Sequence, residues 1–388
     1  MLPHLAVQWG LSAALTGLIS SLYFYAYAFI QPICGALNDH FGPMRVAAVG
    51  LAIASLGAIC FAVAQSPGIL AAGRLLTGLG LSSMLSGSVA FQNASFAPER
   101  YVFFSGLTYF VGNLGAVTSV APLGAALDTW GRHTVFSGLF LITIVLAGAL
   151  YIMRNHDPVV AMRAGQDRKT GHLGHELRNA INMIRHSPNL RAIVIIWPIA
   201  YGSLMTMQGL WAVEWCQSTY SATASAARMW ATLISIGVMV GNLAGAKIGK
   251  AVCHRRTVIT TSSLSYALSW SALWIGMAQR WPMQITGSIV LLMGVFIGVC
   301  STHLAAGVNS SAQQGRGGAL FGVVNMFPSL GVIAAQWGTG LILSHRATVA
   351  PSSAGAQYPS SAFLFAFAIV VVVIWISQLA LVSMEEFS

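Results

Sequence analysis

The feature that most constrains this chain is a series of apolar runs, each close to the ~20 residues a helix needs to cross a bilayer core. Only 7% of the 388 residues are charged, whereas soluble domains carry about a quarter. Hydrocarbon requires each backbone amide to be satisfied internally, and the runs lack the period-2 alternation of strands. The sequence therefore predicts an all-α polytopic membrane protein.

Eleven of these runs are predicted to be membrane-spanning helices. Five precede the one long polar interval, at 154–191, and six follow it, which predicts a first bundle at 1–153 and a second at 192–388. The predicted spans are 12–36, 45–64, 68–93, 103–126, 134–153, 192–215, 225–247, 257–278, 284–307, 319–343 and 362–384.

The polar interval contains one stretch with helical periodicity. In HELRNAINMIRH, Leu177, Ile181 and Ile184 recur at helical spacing, which predicts a short amphipathic helix at the membrane surface. A flexible hydrophilic connector is the alternative for the rest of the interval.

Basic residues are concentrated in alternate connections between the spans. Arg45, the polar interval and Arg255 lie in one set, while Arg132 and Arg280 lie in the sparser set. Because positive loops remain in the cytoplasm, we expect the first set and the C-terminus to be cytoplasmic in a bacterial inner membrane. The net charge of +10 then reflects orientation in a lipid bilayer, and no nucleic-acid partner is expected.

The two parts of the chain resemble each other at an offset of about 210 residues. RYVFFSGLTYFVGNLG at 100–115 aligns with RGGALFGVVNMFPSLG at 316–331, which pairs Gly115 with Gly331. At the same offset Gly78 meets Gly294. Parallel repeats of this kind predict two similar helical halves with a solute cavity between them.

The segment GALNDHFGPMRV resembles the signature loop of the major facilitator superfamily, roughly G-x-L-x-D-R-x-G-x-R, which follows that superfamily's second helix. GRLLTGLG resembles its fourth-helix motif R-x-x-x-G-x-G, with Arg74 at the basic position. The resemblance extends from about residue 5 over the whole chain. The residues that match the signature loop are Gly35, Leu37, Asp39, Gly42 and Arg45.

In that superfamily two helices precede the signature loop, and here one predicted span does. We therefore expect the first helix to be missing from this sequence. A start codon assigned too late and a shortened gene both account for this expectation.

The resemblance implies a monomeric secondary transporter that moves a small polar organic solute by alternating access, with proton-coupled uptake or exchange. The alternatives are an inactive or receptor-like homologue, and a drug or metabolite exporter. Exporters of the superfamily carry G-P-x-x-G-G where this chain has APLGAA, at 121–126. No GxxxxGK[ST] or HExxH motif is present, so no cofactor, metal or enzymatic activity is expected.

Four residues of the signature loop are predicted to form a cytoplasmic gate. Gly42 permits the tight turn. A contact of Asp39 and Arg45 that forms in one conformational state and breaks in the other is able to close the gate. The resemblance places the partner helix in the second half, beginning near Arg316. A stop-transfer loop whose charges only mark topology is the alternative. The gating set is Gly35, Asp39, Gly42 and Arg45.

Titratable or charged groups inside spans are candidates for coupling. For Arg74 the resemblance implies proton coupling or an internal hydrogen-bond network, and snorkelling to the interface is the alternative. Glu214 and Arg228 are expected to pair, as a static salt bridge or a protonation switch. His303 is either a proton acceptor or a packing residue.

Polar and aromatic side chains near the span midpoints are candidates for the solute cavity. Tyr109 and Asn325 occupy equivalent positions in the two halves. For each candidate, hydrogen bonding between helices is the alternative. The set is Tyr23, Tyr27, Tyr109, Asn113, Gln208, Trp211, Asn325 and Gln336.

Overall fold

The structure is a computed structural model that is almost entirely helical. It describes residues 5, 9–96, 98–157, 159–160, 173–251, 254–311, 317–346 and 358–386. The first half comprises α1 (Ala13–Phe41), α2 (Pro43–Val63), α3 (Pro67–Leu81), α4 (Met84–Ser95), α5 (Pro98–Thr118) and α6 (Ala121–Met153).

A surface helix, α7 (Leu173–His186), precedes the second half. The second half begins with α8 (Pro188–Thr206), a π-helical turn (Met207–Trp211) and α9 (Ala212–Tyr220), which together form one long span. It continues with α10 (Ala224–Ala251), α11 (Arg255–Ala278), α12 (Met283–Ser310), α13 (Gly317–Arg346) and α14 (Ser360–Gln378).

The predicted spans correspond to this helix order. Among the described residues, nine helical stretches are long and apolar enough to cross a membrane, and each coincides with a predicted span. Helices α5 and α11 occupy the other two, 103–126 and 257–278. The prediction of an all-α polytopic membrane protein is confirmed.

The chain ends of the helices define two faces of the bundle. We call the face where residues 42, 154–157 and 254 lie the basic end, and the face with the connections at 64–66, 221–223 and 279–282 the opposite end. The serines Ser12, Ser66 and Ser187 cap α1, α3 and α8, each accepting a hydrogen bond from an amide three residues on.

The fourth and fifth predicted spans meet at Gly131 rather than at the break between α5 and α6. Hydrogen bonds from Ser119 N to Gly115 O (3.0 Å) and from Gly124 N to Val120 O (3.1 Å) carry the α5 helix through a kink into α6. At Gly131 the backbone takes φ 75° and ψ 163°, a conformation that favours glycine. The chain therefore turns at Gly131, which agrees with predicted spans ending at 126 and starting at 134.

The predicted amphipathic helix in the polar interval is present as α7, with Ile184 packed against the core as expected and Ile181 exposed. Ala180 is fully buried, whereas Ile181 is 45% exposed. The residues that pack against the core beside Ala180 are Met183 and Ile184.

Helices within the first half are packed through glycines that leave no room for a side chain. A Cβ at Gly78 would overlap the carbonyl oxygen of Tyr23 in α1, and one at Gly80 would overlap that of Gly50 in α2. The two glycines of the R-x-x-x-G-x-G motif therefore bring α3 against two different helices. Small residues at helix contacts are what membrane bundles use for close backbone approach.

The second half repeats this arrangement at the positions that the sequence pairs. A Cβ at Gly294 in α12 would overlap the carbonyl oxygen of Ile234 in α10. Thus α12 packs on α10 as α3 packs on α1, with Gly294 in the place of Gly78. The internal repeat predicted from the sequence is reproduced as a repeat in helix packing.

One packing contact of the second half has no counterpart in the described first half. A Cβ at Gly331 in α13 would overlap the carbonyl oxygen of Pro198 in α8. Its sequence partner Gly115, in α5, has no atom within 4 Å of the position of a Cβ. Among the described residues the first half places no helix against α5 in the way that α8 lies against α13.

We predict opposite effects for two Gly→Ala substitutions in the first half. Gly78→Ala should lower stability by about 1–3 kcal/mol, because the added methyl overpacks the seam with α1. Gly148→Ala should be neutral or raise it by up to about 1 kcal/mol, because Gly148 faces open space and alanine favours helix. Thermal unfolding of detergent-purified variants measures both, and equal melting temperatures would contradict this packing.

Candidate functional site

The turn of the signature loop is built around Gly42. Gly42 has φ 84° and donates its N–H to Asn38 O at 3.0 Å, which ends α1. Pro43 occupies the first turn of α2, where its missing N–H costs no hydrogen bond. The expected tight turn at Gly42 is present, and only a residue that tolerates positive φ suits it.

A buried acid from the far end of the first half occupies this turn, and the sequence analysis missed it. Asp157 is 1% exposed, and its Oδ2 accepts from Met44 N at 2.8 Å while Oδ1 accepts from Val159 N at 3.0 Å. A Cβ at Gly42 would lie 2.7 Å from that Oδ2. The carboxylate therefore caps the positive N-terminus of α2. The only signal in the sequence is an acid followed by proline directly after a span.

The other gating residues are placed as follows. Arg45 lies in the first turn of α2 with its side chain exposed. Gly35 has no atom within 4 Å of the point where a Cβ would lie, so packing does not require glycine there. The side chain of Asp39 and residue Arg316 lie outside what the structure describes, and the Asp39–Arg45 gate stays a prediction.

Arg74 lies about 10 Å along α3 from its first residue, which places it well inside the span. Its side chain is half-buried, and its guanidinium carbon lies 5.9 Å from the centre of the Phe61 ring. Gly78 is one turn further on the same face and fixes that face against α1 at Tyr23. Arg74 thus lies on the face of α3 that meets α1, with its guanidinium beside Phe61 of α2.

Tyr23 of α1 is the tyrosine nearest to this position in the described structure. Tyr23 and Tyr27 of α1 are stacked, with ring centres 5.6 Å apart. The Tyr23 hydroxyl is within electrostatic range of Arg74 and, separately, of Tyr201, which belongs to α8 in the second half. Tyr201 is a neighbour of Tyr23 that the sequence analysis did not select.

Arg228 pairs with a different acid from the one expected. Its guanidinium donates to Asp128 Oδ2 of α6, across the two halves, and not to Glu214. A Cβ at Gly124 would lie 2.5 Å from Arg228 Cδ, so the arginine stem rests on a glycine of the first half. The expectation of a Glu214–Arg228 pair is corrected, because Arg228 at the start of α10 faces α6 rather than α9.

This ion pair lines a cleft of about 330 Å³ at the opposite end, between the halves. The lining residues are Ala121, Pro122, Ala125, Asp128, Ser225, Arg228 and Met229.

Glu214 is buried in the second half, at 5% exposure. It is within electrostatic range of the Tyr358 hydroxyl. Burial and the charge of Glu214 together raise the pKa of Tyr358 above its ordinary value, so this tyrosine stays protonated.

His303 is held by a backbone carbonyl. It is 4% exposed, and its Nε2 lies 3.1 Å from Gly245 O in α10. The ring therefore donates from Nε2 to that carbonyl and carries its proton there. This is the geometry of the packing alternative.

Helices α1 and α13 form the main contact between the halves. Near the basic end, Asn325 Nδ2 donates to Gln31 Oε1 at 2.9 Å. At the opposite end Ala14 N donates to Ser344 Oγ at 2.7 Å, and a Cβ at Gly340 would lie 2.5 Å from Ala13 O. Asn325 is thus a residue of the contact between halves, with a partner that the repeat alignment did not suggest.

The remaining cavity candidates cluster around the π-helical turn, a feature frequent at functional sites. Gln208 donates to Ser235 Oγ at 2.6 Å and Gln336 to Met205 O at 3.3 Å, which leaves their Oε1 atoms without a partner among the described residues. Trp211 is fully buried and donates to Thr339 Oγ1 at 2.9 Å. In this structure Trp211 is therefore a core residue of the second half.

Two further candidates, Tyr109 and Asn113, lie on α5. The side chain of Tyr109 lies outside the described residues. Asn113 is half-buried.

We predict that the cap at Asp157 stabilises the signature turn. Asp157→Ala should lower stability by about 0.5–2 kcal/mol, because Met44 N loses its acceptor. Asp157→Asn keeps an acceptor oxygen and should lose only the charge–dipole part, about 0.3–1 kcal/mol. Thermal unfolding of the two variants tests the order, and an Asn variant as unstable as the Ala variant would argue against the cap.

Comparison with known proteins agrees with this architecture. Among solved structures, the nucleoside transporter NupG superposes with a TM-score of 0.66 at 14% identity, covering 98% of this chain and 93% of that chain. A D-xylose-proton symporter gives a TM-score of 0.64 at 12% identity, covering 94% and 87%. These similarities show the fold.

Curated relatives match over shorter segments. An uncharacterized MFS-type transporter of Mycobacterium tuberculosis is 26% identical over 165 residues, 40% of this chain and 28% of that protein. The gentisate transporter of Corynebacterium glutamicum is 26% identical over 174 residues, 43% of this chain and 38% of that protein. The alignments thus span less than two-fifths of these two relatives.

A profile of the Major Facilitator Superfamily matches residues 1–336, the greater part of the chain. The sequence motifs that resemble that family have structural counterparts here. These are the turn at Gly42, the close packing of Gly78 and Gly294, and the two similar halves. The chain belongs to the Major Facilitator Superfamily.

Proposed function

We propose that this protein is a secondary active transporter that moves a small polar organic solute by alternating access, as a monomer in the bacterial inner membrane and with proton coupling. The observation that carries the proposal is the repeat of glycine packing in the two halves, together with the polar pairs that join them. Within each half, helices meet through glycine seams without room for a methyl group. Between the halves lie polar pairs such as Gln31–Asn325 and Asp128–Arg228, and close glycine contacts between α1 and α13 lie at the opposite end.

A rocking mechanism requires rigid halves and contacts between them that can be exchanged. Glycine seams make each half a rigid body, because a close-packed seam shifts only at the cost of many contacts. Single hydrogen bonds and exposed ion pairs between the halves contribute about 1 kcal/mol each, so water or a solute is able to replace them. Two rigid bodies with such polar pairs between them are expected to exchange between states.

We assign the ends of the bundle by the positive-inside tendency, with the basic end cytoplasmic. Asp128–Arg228 is then an outer latch, opposite the inner gate proposed for Asp39 and Arg45. Asp157 supports that inner gate by fixing the turn from which Arg45 projects.

For the coupling proton we propose Glu214, a buried carboxylate within the membrane. Transport of a small organic solute is supported by the fold neighbours, a nucleoside transporter and a D-xylose-proton symporter, and by the relative named a gentisate transporter. The D-xylose-proton symporter also supports coupling to a proton. His303 and Trp211 take packing roles in this proposal.

Flux through the protein in proteoliposomes tests the function. Vesicles loaded with a nucleoside, D-xylose or gentisate should show counterflow of one of these solute classes, and a pH gradient should accelerate net uptake. Glu214→Gln, which keeps the size of the side chain, should preserve counterflow and abolish the effect of the gradient. Absence of counterflow for every class would favour an inactive or receptor-like homologue.

The outer latch makes a separate prediction. Asp128→Arg should expose the cleft between the halves, because it replaces an ion pair by repulsion against Arg228. A cysteine in place of Ala121, in that cleft, should then react several-fold faster with an impermeant maleimide added to intact cells.

Restoring the pair with opposite signs, as Asp128→Arg with Arg228→Asp, should return the labelling rate towards that of the parent. Arg280→Asn, at the same end and outside the latch, serves as the control. Failure to label any of these proteins from outside the cell would contradict the assigned orientation.

A further inference from the structure

A groove at the basic end lies between the first turns of α11 and the chain that follows α14. Its volume is about 530 Å³, and the residues that line it all belong to the second half. The six predicted spans of that half are all represented by helices, so the shape of the groove does not depend on the first half. We call this feature the α11–α14 groove.

A buried hydrogen bond joins the two helices that form the groove. Ser263 Oγ of α11 donates to Gln378 Oε1 at the end of α14, at 2.7 Å, and both side chains are buried. The amide nitrogen of Gln378 donates in turn to Ile374 O at 3.1 Å. Because these polar groups are satisfied, they hold α11 and α14 at a fixed separation, and the groove is a feature of the fold.

One end of the groove carries two opposite charges. Arg256, in the first turn of α11, is exposed and lines the groove together with Thr257. Glu386, beyond the end of α14, lines it as well, with its side chain 43% exposed. The Glu386 carboxylate lies 4.0 Å from His254 Nδ1 and forms no ion pair with Arg256. The groove therefore presents a guanidinium and a carboxylate separately.

The other end of the groove is apolar and lies deeper in the membrane. Leu264 lines it about 12 Å along α11 from Arg256, together with Leu381 and Val382. Val382 is 81% exposed, as an apolar side chain is where a protein faces lipid. The groove thus changes from charged to apolar along α11, in the direction from the membrane surface to its interior.

We propose that the α11–α14 groove binds a phospholipid whose headgroup carries both a phosphate and a primary ammonium, namely phosphatidylethanolamine. A guanidinium only donates and a carboxylate only accepts, so Arg256 matches the phosphate and Glu386 matches the ammonium. The Thr257 hydroxyl is a further donor for the phosphate, and an acyl chain follows Leu264 and Val382. This inference is independent of which solute the protein moves.

The neighbouring charges favour this headgroup over a purely anionic one. An anionic lipid would bring its phosphate towards the Glu386 carboxylate without a cation of its own. Arg255 is within electrostatic range of Glu386, but its guanidinium donates to Ala306 O at 3.1 Å and to Ser310 Oγ at 2.7 Å, both on α12. Free phosphate would occupy only the charged end and leave the apolar end empty. A lipid is therefore the ligand that uses the whole groove.

Native mass spectrometry of the delipidated full-length protein tests the inference. Phosphatidylethanolamine, phosphatidylcholine and phosphatidylglycerol with identical acyl chains are titrated separately. The first binding event of phosphatidylethanolamine should be at least about tenfold tighter than that of either other lipid, because only its headgroup pairs with both charges. Inorganic phosphate should not displace it, because phosphate has no acyl chain.

Variants of the two charged residues identify the site. Glu386→Gln should reduce the preference for phosphatidylethanolamine to about twofold or less, because the ammonium loses its charged acceptor. Arg256→Gln should weaken binding of all three lipids several-fold, because each carries a phosphate. The matched controls are Glu385→Gln, an exposed acid outside the groove lining, and Arg178→Gln, an exposed arginine on α7. Both controls should bind like the parent, and equal melting temperatures without lipid show that all variants are folded.

Three results would overturn the inference. A preference for phosphatidylglycerol that depends on Arg256 but not on Glu386 would identify the groove as a site for anionic lipid. Displacement by inorganic phosphate would identify it as an ion site. Equal binding of the three lipids in the parent and in both groove variants would mean that lipid covers this surface without recognition. None of these results bears on the transport proposal, which is tested by counterflow.

Discussion

Satisfaction of the backbone within helices is the constraint on which this structure depends. Because the amides are paired inside each helix, contacts between helices are decided by side-chain size and by a few polar groups. Glycine then allows the closest contacts between helices. Gly78, Gly80 and Gly294 each lie against a neighbouring carbonyl at a position where a methyl group would not fit. Rigid halves, and polar pairs at a few positions between them, are two results of this one constraint.

The few charges are distributed by the same constraint. Asp157 compensates the amides at the start of α2, and Asp128 compensates Arg228 across the seam. Both pairs lie near helix ends, where water and helix dipoles reduce the cost of a charge. Arg74 differs because it lies inside a span, beside the face of the Phe61 ring.

The sequence was sufficient for the features that depend on local pattern. Span positions follow from apolar length, the turn at Gly42 from its motif, and the equivalence of Gly78 and Gly294 from the internal repeat. Partners across helices were not predictable in this way. The sequence suggested Glu214 for Arg228, and the structure supplies Asp128, because the direction in which the start of α10 faces depends on how the two halves are docked. Asp157, Gln31 and Tyr201 were missed for the same reason.

The two halves are alike in their seams and unlike in their outer packing. Gly331 is covered by α8, whereas Gly115 faces open space among the described residues. Gly78 and Gly294 nevertheless make equivalent contacts, with α1 and with α10. The similarity of the halves therefore lies in the helices joined by glycine seams, and their difference lies in what covers α5 and α13.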